Sequence, residues 1–391
     1  MNKTLIPRVL AKTASSLLKK YPAITITGPR QSGKTTLARR LFAKKPYINL
    51  EAPDVRRFAQ EDPRAFLANY EGGAVFDEIQ RAPELLSYLQ PIIDETSEHG
   101  RFIFTGSQQF EMMHHVSQSL AGRTAILRLM PFSLDEIKKQ RPDFSIDDWM
   151  FTGFYPRVYQ ASIPPPQAYA DYYASYVERD IRQLVNVRNH SLFDRFVRLC
   201  AGRVGQILNL SGLAADTGIT HTTAREWLSL LETSFIAFTL QPFHANTTKR
   251  LTKSPKLYFY DTGLASWLCG ITGAKQFASH PLRGAFFENL AVIEVQKYNY
   301  NHSLNRRIYF YRDNQCEVDI LWPVGGKLLP IEVKSGQTIA SDFSKGVNYF
   351  RANFPKQCAP ESIIAYGGDT SRKTSAGMRY CPVEKLAAAL E

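Results

Sequence analysis

A glycine-rich stretch near the start of the chain has the residue types and spacing of a phosphate-binding loop. Gly28, four further residues, Gly33, Lys34 and Thr35 fit the pattern G-x-x-x-x-G-K-[ST]. The glycines let the backbone wrap a phosphate chain with its N–H groups directed inward, and the N-terminus of the following helix adds partial positive charge. We expect Lys34 to bind the β- and γ-phosphates of ATP and the Thr35 hydroxyl to bind Mg²⁺. The predicted nucleotide-binding residues in this loop are Gly28, Pro29, Arg30, Gln31, Ser32, Gly33, Lys34, Thr35 and Thr36.

A second pattern, an apolar strand that ends in two carboxylates, follows the loop at a suitable distance. Residues 73–76 are small or apolar and lead directly into Asp77 and Glu78, which is the Walker B pattern. Asp77 is expected to bind Mg²⁺, and Glu78 to polarise the attacking water, because hydrolysis needs an oriented nucleophile. The alternative is a solvated strand end without a chemical role.

A third strand is predicted at residues 101–107, and it ends in small polar residues. Ser107 is the residue we expect to sense the γ-phosphate, with Thr105 and Gln108 as neighbours. Together with a strand at residues 23–27 before the loop, these βα units indicate an α/β fold of the P-loop NTPase type. Its parallel sheet has helices on both faces, and a nucleotide would bind at the carboxyl ends of the strands.

Five short segments carry a resemblance to a known family. GPRQSGKTT, YINLE, FDEIQR, FTGS and LAGR occur in this order, and the chain resembles one AAA family of prokaryotic ATPases that usually carries a C-terminal domain of unknown function 4143. The resemblance implies ATP and Mg²⁺ as cofactors. It also suggests Arg123 as an arginine near the γ-phosphate, acting in its own subunit or in a neighbour, with a structural ion pair as the alternative. Arg30 is a second candidate for a contact with nucleotide or a neighbouring subunit.

A group of acidic and basic residues in the last third of the chain resembles the PD-(D/E)xK nuclease core. Asp319 lies in one predicted strand and Glu332 and Lys334 in the next, while Glu288 lies in a preceding predicted helix. Asp319 and Glu332 are expected to bind Mg²⁺, Glu288 to complete the site, and Lys334 to steady the attacking water or the scissile phosphate. Glu317 shares a strand face with Asp319 and is either a further ligand or a solvated neighbour. The alternative is a retained nuclease fold used for binding.

The middle of the chain has a helix-turn-helix spacing followed by two extended stretches. A short helix at residues 211–217, with Leu213, Ala214 and Ala215 on its packed side, precedes a turn at Gly218 and a helix from about 221 to 232, which Thr220 can cap. The stretches 235–242 and 256–260 enclose a basic loop, so a winged helix is predicted. If it binds DNA, the recognition helix and the wing supply the contacts. These are Thr220, His221, Thr222, Thr223 and Arg225 in the major groove, and Lys249, Arg250 and Lys253 on phosphates.

Residues 131–202 contain two further features. Three prolines at residues 164–166 indicate a linker. The segment that follows is rich in tyrosine and arginine, including Tyr172, Tyr173 and Tyr176. Interleaved aromatic and basic residues can bind nucleic acid, although half-buried tyrosines on helix faces are the favoured interpretation.

Composition limits the broader options. The chain has 391 residues, a formal net charge of +12 and five cysteines, which are far apart and favour free thiols in a reducing cytoplasm. The positive charge favours a polyanionic partner. No apolar run approaches the length of a membrane span. The basic N-terminus is interpreted as a helix over residues 5–20 that packs Leu5, Val9, Leu10 and Leu17, rather than as a transit peptide.

These interpretations combine into a four-part organisation and a leading functional hypothesis. The predicted parts are a P-loop AAA ATPase domain at 1–130, a helical connector at 131–205, a winged helix at 206–270 and an α/β restriction-endonuclease-like domain at 271–391. The leading hypothesis is an ATP-hydrolysing protein that binds duplex or branched DNA, with Mg²⁺-dependent nuclease activity left open. The alternative is a regulatory or scaffold ATPase with a protein partner. A homo-oligomer is compatible with both.

Overall fold

The computed structural model describes residues 5–96, 98–107, 119–161, 163–181, 190–243 and 254–391. The chain divides into two compact units. The first comprises Met1–Phe132 with the short segments Thr233–Phe235 and Tyr300–Leu304, and the second comprises Ser133–Glu232, Ile236–Asn299 and Asn305–Glu391. The predicted domain boundaries at 205/206 and 270/271 fall inside the second unit and stay predictions.

The first unit contains a five-stranded parallel sheet in the order β2-β3-β4-β1-β5. Its strands are β1 (Ala23–Thr27), β2 (Tyr47–Asn49), β3 (Ala74–Asp77), β4 (Phe102–Gly106) and β5 (Thr124–Arg128). Its helices are α1 (Leu10–Leu17), α2 (Lys34–Leu41), α3 (Pro53–Glu61), α4 (Pro63–Ala68) and α5 (Leu85–Asp94), with a 3₁₀ turn at Ile79–Arg81.

Side-chain alternation in the strands produces two apolar faces, each covered by helices. Phe76, Phe102 and Phe104 point to the face that α3, α4 and α5 cover. Val75 and Ile103, the intervening residues, point to the opposite face, which α1 and α2 cover. Because parallel strands are buried on both sides, they read as continuous apolar runs in the sequence. The predicted α/β class, with a parallel sheet between two helical layers, is confirmed.

The N-terminal helix is shorter than predicted. It begins at Leu10 and ends at Leu17, with Leu10 and Ala14 as its buried residues. Leu5 lies before the helix and is 46% exposed, so the prediction that it packs beside the ATPase core was wrong. The two buried positions are spaced four residues apart, which is one face of a short helix.

The second unit contains a mixed eight-stranded sheet in the order β12-β13-β11-β10-β9-β8-β6-β7. Its strands are β6 (Ala237–Pro242), β7 (Lys256–Phe259), β8 (Tyr309–Arg312), β9 (Glu317–Val324), β10 (Lys327–Lys334), β11 (Ser362–Tyr366), β12 (Arg372–Lys373) and β13 (Met378–Pro382). Its α-helices are α6 (Leu134–Ile137), α7 (Ile146–Thr152), α8 (Pro156–Gln160), α9 (Pro165–Tyr172), α10 (His190–Ala201), α11 (Leu210–Thr217), α12 (His221–Thr233), α13 (Thr262–Leu268), α14 (Arg283–Asn301) and α15 (Lys345–Asn353). A π-helical turn occupies Tyr173–Ile181, and 3₁₀ turns occupy Lys138–Gln140, Ala274–Ser279, Ser341–Ser344, Val383–Lys385 and Ala387–Leu390.

Strand β6 belongs to two pairings and so connects the hairpin of the helix-turn-helix region to the C-terminal sheet. Ala237–Leu240 of β6 pair antiparallel with β7, whereas Gln241 and Pro242 pair parallel with β8. The two extended stretches predicted as a separate hairpin are therefore the edge of the larger sheet.

The proline-rich segment and the tyrosine-rich segment both pack into the second unit. Pro165 begins helix α9, because a fixed φ suits the first turn of a helix, so the predicted linker was wrong. Tyr169, Tyr172, Tyr173 and Tyr176 are all buried, which confirms the packing interpretation of these tyrosines. Across the residues that the structure describes, no helix has the length and apolar character needed to cross a membrane.

Candidate functional site

The loop between β1 and α2 has the backbone shape that a phosphate cradle requires. Gly28 has a φ of +143°, and a Cβ at this position would lie 2.2 Å from the Leu129 carbonyl oxygen. Gly33 has a φ of +97°, and Gln31 between them has a φ of +61°. Since side chains disfavour this region of φ, both glycines are required by the turn, and Gly28 is also required by the close approach of Leu129, just beyond β5.

Lys34 is folded onto its own loop. Its ammonium donates hydrogen bonds to the carbonyl oxygens of Gly28 at 3.0 Å and Pro29 at 2.9 Å, and the residue is only 4% exposed. Burial lowers the pKa of Lys34 to about 8, against the opposing fields of Glu78 and Asp77. A buried ammonium of this kind gains from an incoming polyphosphate, because the phosphate supplies the negative charge that the loop carbonyls only approximate.

Asp77, at the end of β3, lies beside Thr35 of the loop. The Thr35 hydroxyl donates to the Asp77 carboxylate, 2.9 Å from Oδ2, and the hydroxyl groups of Tyr47 (2.6 Å) and Thr105 donate to the same carboxylate. A carboxylate and a hydroxyl at contact distance, next to a phosphate cradle, are the donor set that Mg²⁺ uses in nucleotide sites. Asp77 and Thr35 therefore fit a magnesium ion, as predicted from their types and spacing.

Glu78 is held by residues at the end of β4 and by Gln80 in the turn that follows β3. It adopts a left-handed backbone conformation with a φ of 57°, and its N–H donates to the Thr105 hydroxyl at 3.2 Å. Its carboxylate accepts hydrogen bonds from the Ser107 hydroxyl, at 3.2 Å, and from the Gln80 amide. Ser107, the predicted γ-phosphate sensor, thus contacts the residue predicted to polarise the attacking water. Gln108, predicted as its neighbour, lies outside the described residues.

The remaining loop residues complete the cradle. The Ser32 hydroxyl oxygen is buried and has no hydrogen-bond partner within the described residues, so it is available to a phosphate oxygen. Thr36 is exposed at the start of α2. Arg30 lies 4.0 Å from the Glu51 carboxylate. Arg8 was not predicted from the sequence. Its guanidinium donates to the carbonyl oxygens of Ser32, at 2.7 Å, and Met130, at 2.6 Å, and so connects the loop to the segment after β5.

Arg123 lies at the amino ends of β1 and β5, whereas the phosphate-binding loop lies at the carboxyl end of β1. It therefore cannot reach the γ-phosphate of a nucleotide bound to the same subunit. It directly precedes β5, whose first residue pairs with Ala23 at the start of β1, whereas the phosphate-binding loop follows the end of β1. Its guanidinium forms a two-pronged ion pair with Asp94, at 2.6 and 2.7 Å. The prediction of a γ-phosphate contact within the same subunit was therefore wrong, and the ion-pair alternative is the one observed. A contact in trans stays a prediction.

A second cluster of charged residues forms on one face of the C-terminal sheet. Strands β9 and β10 are antiparallel, with Ile320 opposite Ile331, so Asp319 and Glu332 are neighbours across the strands. The Lys334 ammonium lies 2.7 Å from Glu332, and Asp319 accepts a hydrogen bond from the Val333 N–H at 2.8 Å. The sequence correctly predicted that these residues share one face.

The carboxylates that could hold a metal differ from the predicted set. Glu288 from α14 and Glu317 and Asp319 from β9 each offer an oxygen within 4.8 Å of the others. Among the described residues this group does not include Glu332, which pairs with Lys334 instead. Burial raises the pKa of Glu288 to about 7 and that of Glu332 to about 8, and in each case the nearby Asp319 charge adds to the shift.

A lysine that sequence reasoning missed lies among these three carboxylates. The Lys256 ammonium is 2.7 Å from Glu288 and 3.6 Å from Asp319, and it also pairs with Glu317. The predicted metal site therefore already contains a positive charge, so as it stands it does not fit a divalent cation. Little in the sequence indicated this contact, because Lys256 begins a strand in the predicted winged helix, whereas the carboxylates lie in the predicted nuclease-like domain.

The helix-turn-helix residues occupy the predicted elements. Thr220 caps α12, since the Thr223 N–H donates to its hydroxyl at 3.1 Å, and His221, Thr222 and Arg225 are exposed. On α11, Leu213 and Ala214 are buried but Ala215 is exposed, which corrects the predicted packed side. The predicted wing residues lie outside the described residues, and these are Lys249, Arg250 and Lys253.

Three family matches cover most of the chain. Residues 20–138 match the AAA domain, residues 143–275 match a domain of unknown function, DUF8612, and residues 283–386 match a second one, DUF4143. The fold and the loop geometry therefore belong to an AAA-type ATPase domain, and the predicted association with DUF4143 is confirmed.

Two curated mycobacterial relatives and one solved structure are similar to the chain. The uncharacterized proteins Mb2031c of Mycobacterium bovis and Rv2008c of Mycobacterium tuberculosis are each 30% identical over 326 residues, which is 82% of this chain and 72% of theirs. The chain belongs to the same family as these two proteins. The Walker-type ATPase PABY2304 of Pyrococcus abyssi is 15% identical, with a TM-score of 0.46, over 68% of this chain and 97% of its own.

Proposed function

We propose that this protein hydrolyses ATP at the site between β1 and β3 and binds duplex DNA through the helix-turn-helix region. The observation that carries the first part is the contact between Thr35 and Asp77, at 2.9 Å, beside a buried Lys34. A hydroxyl, a carboxylate and an ammonium from the loop and the neighbouring strand end converge where an Mg²⁺-bound triphosphate would lie.

The residues of this site divide the work of hydrolysis between them. Lys34 and the loop N–H groups bind and orient the phosphates, and Thr35 and Asp77 hold the metal. Bound Mg²⁺ supplies positive charge to the phosphate oxygens. Glu78, oriented by Ser107 and Gln80, accepts a hydrogen bond from water and aligns it for attack on the γ-phosphate. Because Ser107 contacts Glu78, the presence or absence of a γ-phosphate at Ser107 can change the position of this carboxylate.

DNA binding is supported by the order and pairing of elements around the helix-turn-helix. The segment before α11 runs beside β7, because the Leu257 N–H donates to Gln206 at 3.0 Å and the Leu208 N–H donates to Pro255 at 2.8 Å. A helix, an extended segment bridged to β7 at Ile207, two helices and a hairpin in this order favour a winged helix. The net charge of +12 favours a polyanion, and Arg225 is exposed on the helix that would enter the major groove.

Charge reversal at Arg225 tests the DNA-binding proposal. Arg225→Glu is expected to weaken duplex binding about fivefold to tenfold at low salt and to flatten its salt dependence. The loss of a positive charge beside the DNA means that fewer counterions are released on binding, and the new carboxylate is repelled by the phosphates. Fluorescence anisotropy with a labelled duplex over a series of salt concentrations measures both quantities.

Arg57→Glu is the matched control, since Arg57 is exposed in the ATPase domain and carries the same charge change. It is expected to leave both quantities near the wild-type values. An unchanged affinity in folded Arg225→Glu would remove α12 from the DNA interface and favour the alternative, a scaffold ATPase whose winged helix binds protein.

Phosphodiester cleavage by the C-terminal domain is a second candidate function. It is favoured by Asp319, Glu332 and Lys334 on one face of the sheet, with Glu288 of α14 beside Asp319, an arrangement that resembles a PD-(D/E)xK site. Cleavage of this type requires a divalent cation among the carboxylates. Lys256 stands among them, so a metal titration decides between cleavage and a binding role for this domain.

A further inference from the structure

The ammonium of Lys256 is enclosed by the carboxylates of two different elements. Its nitrogen lies 2.7 Å from Glu288 of α14 and 3.6 Å from Asp319 of β9, and it pairs with Glu317 of β9 as well. The lysine is 2% exposed. These three carboxylates are the same three whose oxygens lie within 4.8 Å of one another. Among the described residues they are the only acidic group spaced for a metal, and the ammonium lies between them.

Lys256 lies in strand β7, so its backbone is held in place by pairing on both sides. Its backbone pairs with Leu240 of β6 and bridges to Ile207. The ammonium lies 5.6 Å from the centre of the Phe310 ring, which adds a cation–π contact. Two residues further along the strand, the Tyr258 hydroxyl also donates to Glu288. Alternation along β7 therefore directs both residues at the same carboxylate.

An ammonium and a divalent cation cannot share these oxygens. Mg²⁺ and Mn²⁺ require carboxylate oxygens at about 2.1 Å in a near-octahedral set, and the ammonium already lies at hydrogen-bond distance from the same atoms. Like charges this close repel strongly in a buried environment. A metal could enter only if the lysine left or if its charge were removed.

We propose that Lys256 is the built-in cation of this cluster and takes the place of a divalent metal. The carboxylates are then held together by an ammonium and not by a metal. Lys256 lies in the region that matches DUF8612, whereas the three carboxylates lie in the region that matches DUF4143. This inference concerns occupancy of the cluster and does not depend on whether the protein binds DNA.

Replacing Lys256 with a neutral side chain should create a metal site. In nucleotide-free, full-length protein carrying Asp77→Asn to remove metal binding at the ATP site, Lys256→Met is expected to bind one Mn²⁺ at least about tenfold more tightly than the protein with Lys256. Calorimetric titration and the electron paramagnetic resonance signal of free Mn²⁺ both report this change without any enzyme assay.

Two further variants make the result specific. Adding Asp319→Asn to Lys256→Met should abolish the gained site, because a ligand is lost. Lys327→Met, an exposed lysine on β10, should leave Mn²⁺ binding as it was. The proposal is overturned if protein with Lys256 intact binds one Mn²⁺ as tightly as Lys256→Met, or if removal of Lys256 brings no gain.

A melting experiment covers the case in which Lys256→Met folds poorly. Three carboxylates this close repel one another once the Lys256 charge is gone, and Asp319 among them is buried. The variant should therefore melt below the wild type, and Mn²⁺ should restore its melting temperature. Adding Glu317→Gln removes one of the repelling charges and should restore it without metal. A melting temperature that responds to neither change would contradict the role assigned to Lys256.

Discussion

Glu78→Gln is expected to lower the rate of ATP hydrolysis about 100-fold or more while ATP binding changes by no more than about threefold. The glutamine keeps the size and the contacts with Ser107 and Gln80, but an amide is a far weaker acceptor for the proton of the attacking water. The nucleotide affinity should survive because Lys34, Thr35 and Asp77 are unchanged. Phosphate release and equilibrium binding of ATP, measured on the same preparation, give both numbers.

Glu61→Gln is the matched control for this substitution, since Glu61 is exposed at the end of α3. Its hydrolysis rate should equal that of the wild type. Normal turnover in Glu78→Gln would show that another group orients the water, and loss of ATP binding would show that Glu78 supports the fold of the site rather than the chemistry.

Lys34→Ala is expected to weaken ATP binding by about 100-fold or more and, with it, to abolish hydrolysis. The ammonium is the buried cation of the loop, held by the carbonyl oxygens of Gly28 and Pro29 at the place where the phosphates would lie. Because the charge is desolvated, its removal relieves a cost in the folded protein, and the melting temperature should not fall. Titration with a fluorescent ATP analogue measures the affinity.

A second lysine separates the local effect from a general loss of charge. Lys44 is exposed just beyond α2, and Lys44→Ala should bind ATP as the wild type does. Tight ATP binding by folded Lys34→Ala would contradict the assignment of this loop as the nucleotide site.

The ATP site was largely predictable because its key residues lie in short, local motifs. The spacing of Gly33, Lys34 and Thr35 is set within one loop, and Asp77 and Glu78 end an apolar strand. Their supporting contacts were not predictable, since they depend on strand order. Asp77 lies between Tyr47 of β2 and Thr105 of β4 only because β3 pairs with both strands.

Two of the predictions that failed for the candidate sites involve long-range placement. The LAGR motif contains Arg123 but does not indicate which edge of the sheet the arginine occupies, and the structure places it beside Asp94. The placement of Asp319 and Glu332 on one face followed from strand alternation, although Glu317 rather than Glu332 groups with Asp319 and Glu288. Lys256 did not, because its contact with them requires β6 to pair with β7 through one half and with β8 through the other, and no local pattern encodes this.

The most direct test of the account is phosphate release from ATP by the wild-type protein, with Mg²⁺ and then with the metal chelated. The geometry of Lys34, Thr35, Asp77 and Glu78 predicts saturable hydrolysis that requires Mg²⁺ and falls to the level of Lys34→Ala when the metal is removed. Saturating ATP binding with no phosphate release above the Lys34→Ala level, in the presence of Mg²⁺, would contradict the assignment of this site as an ATPase.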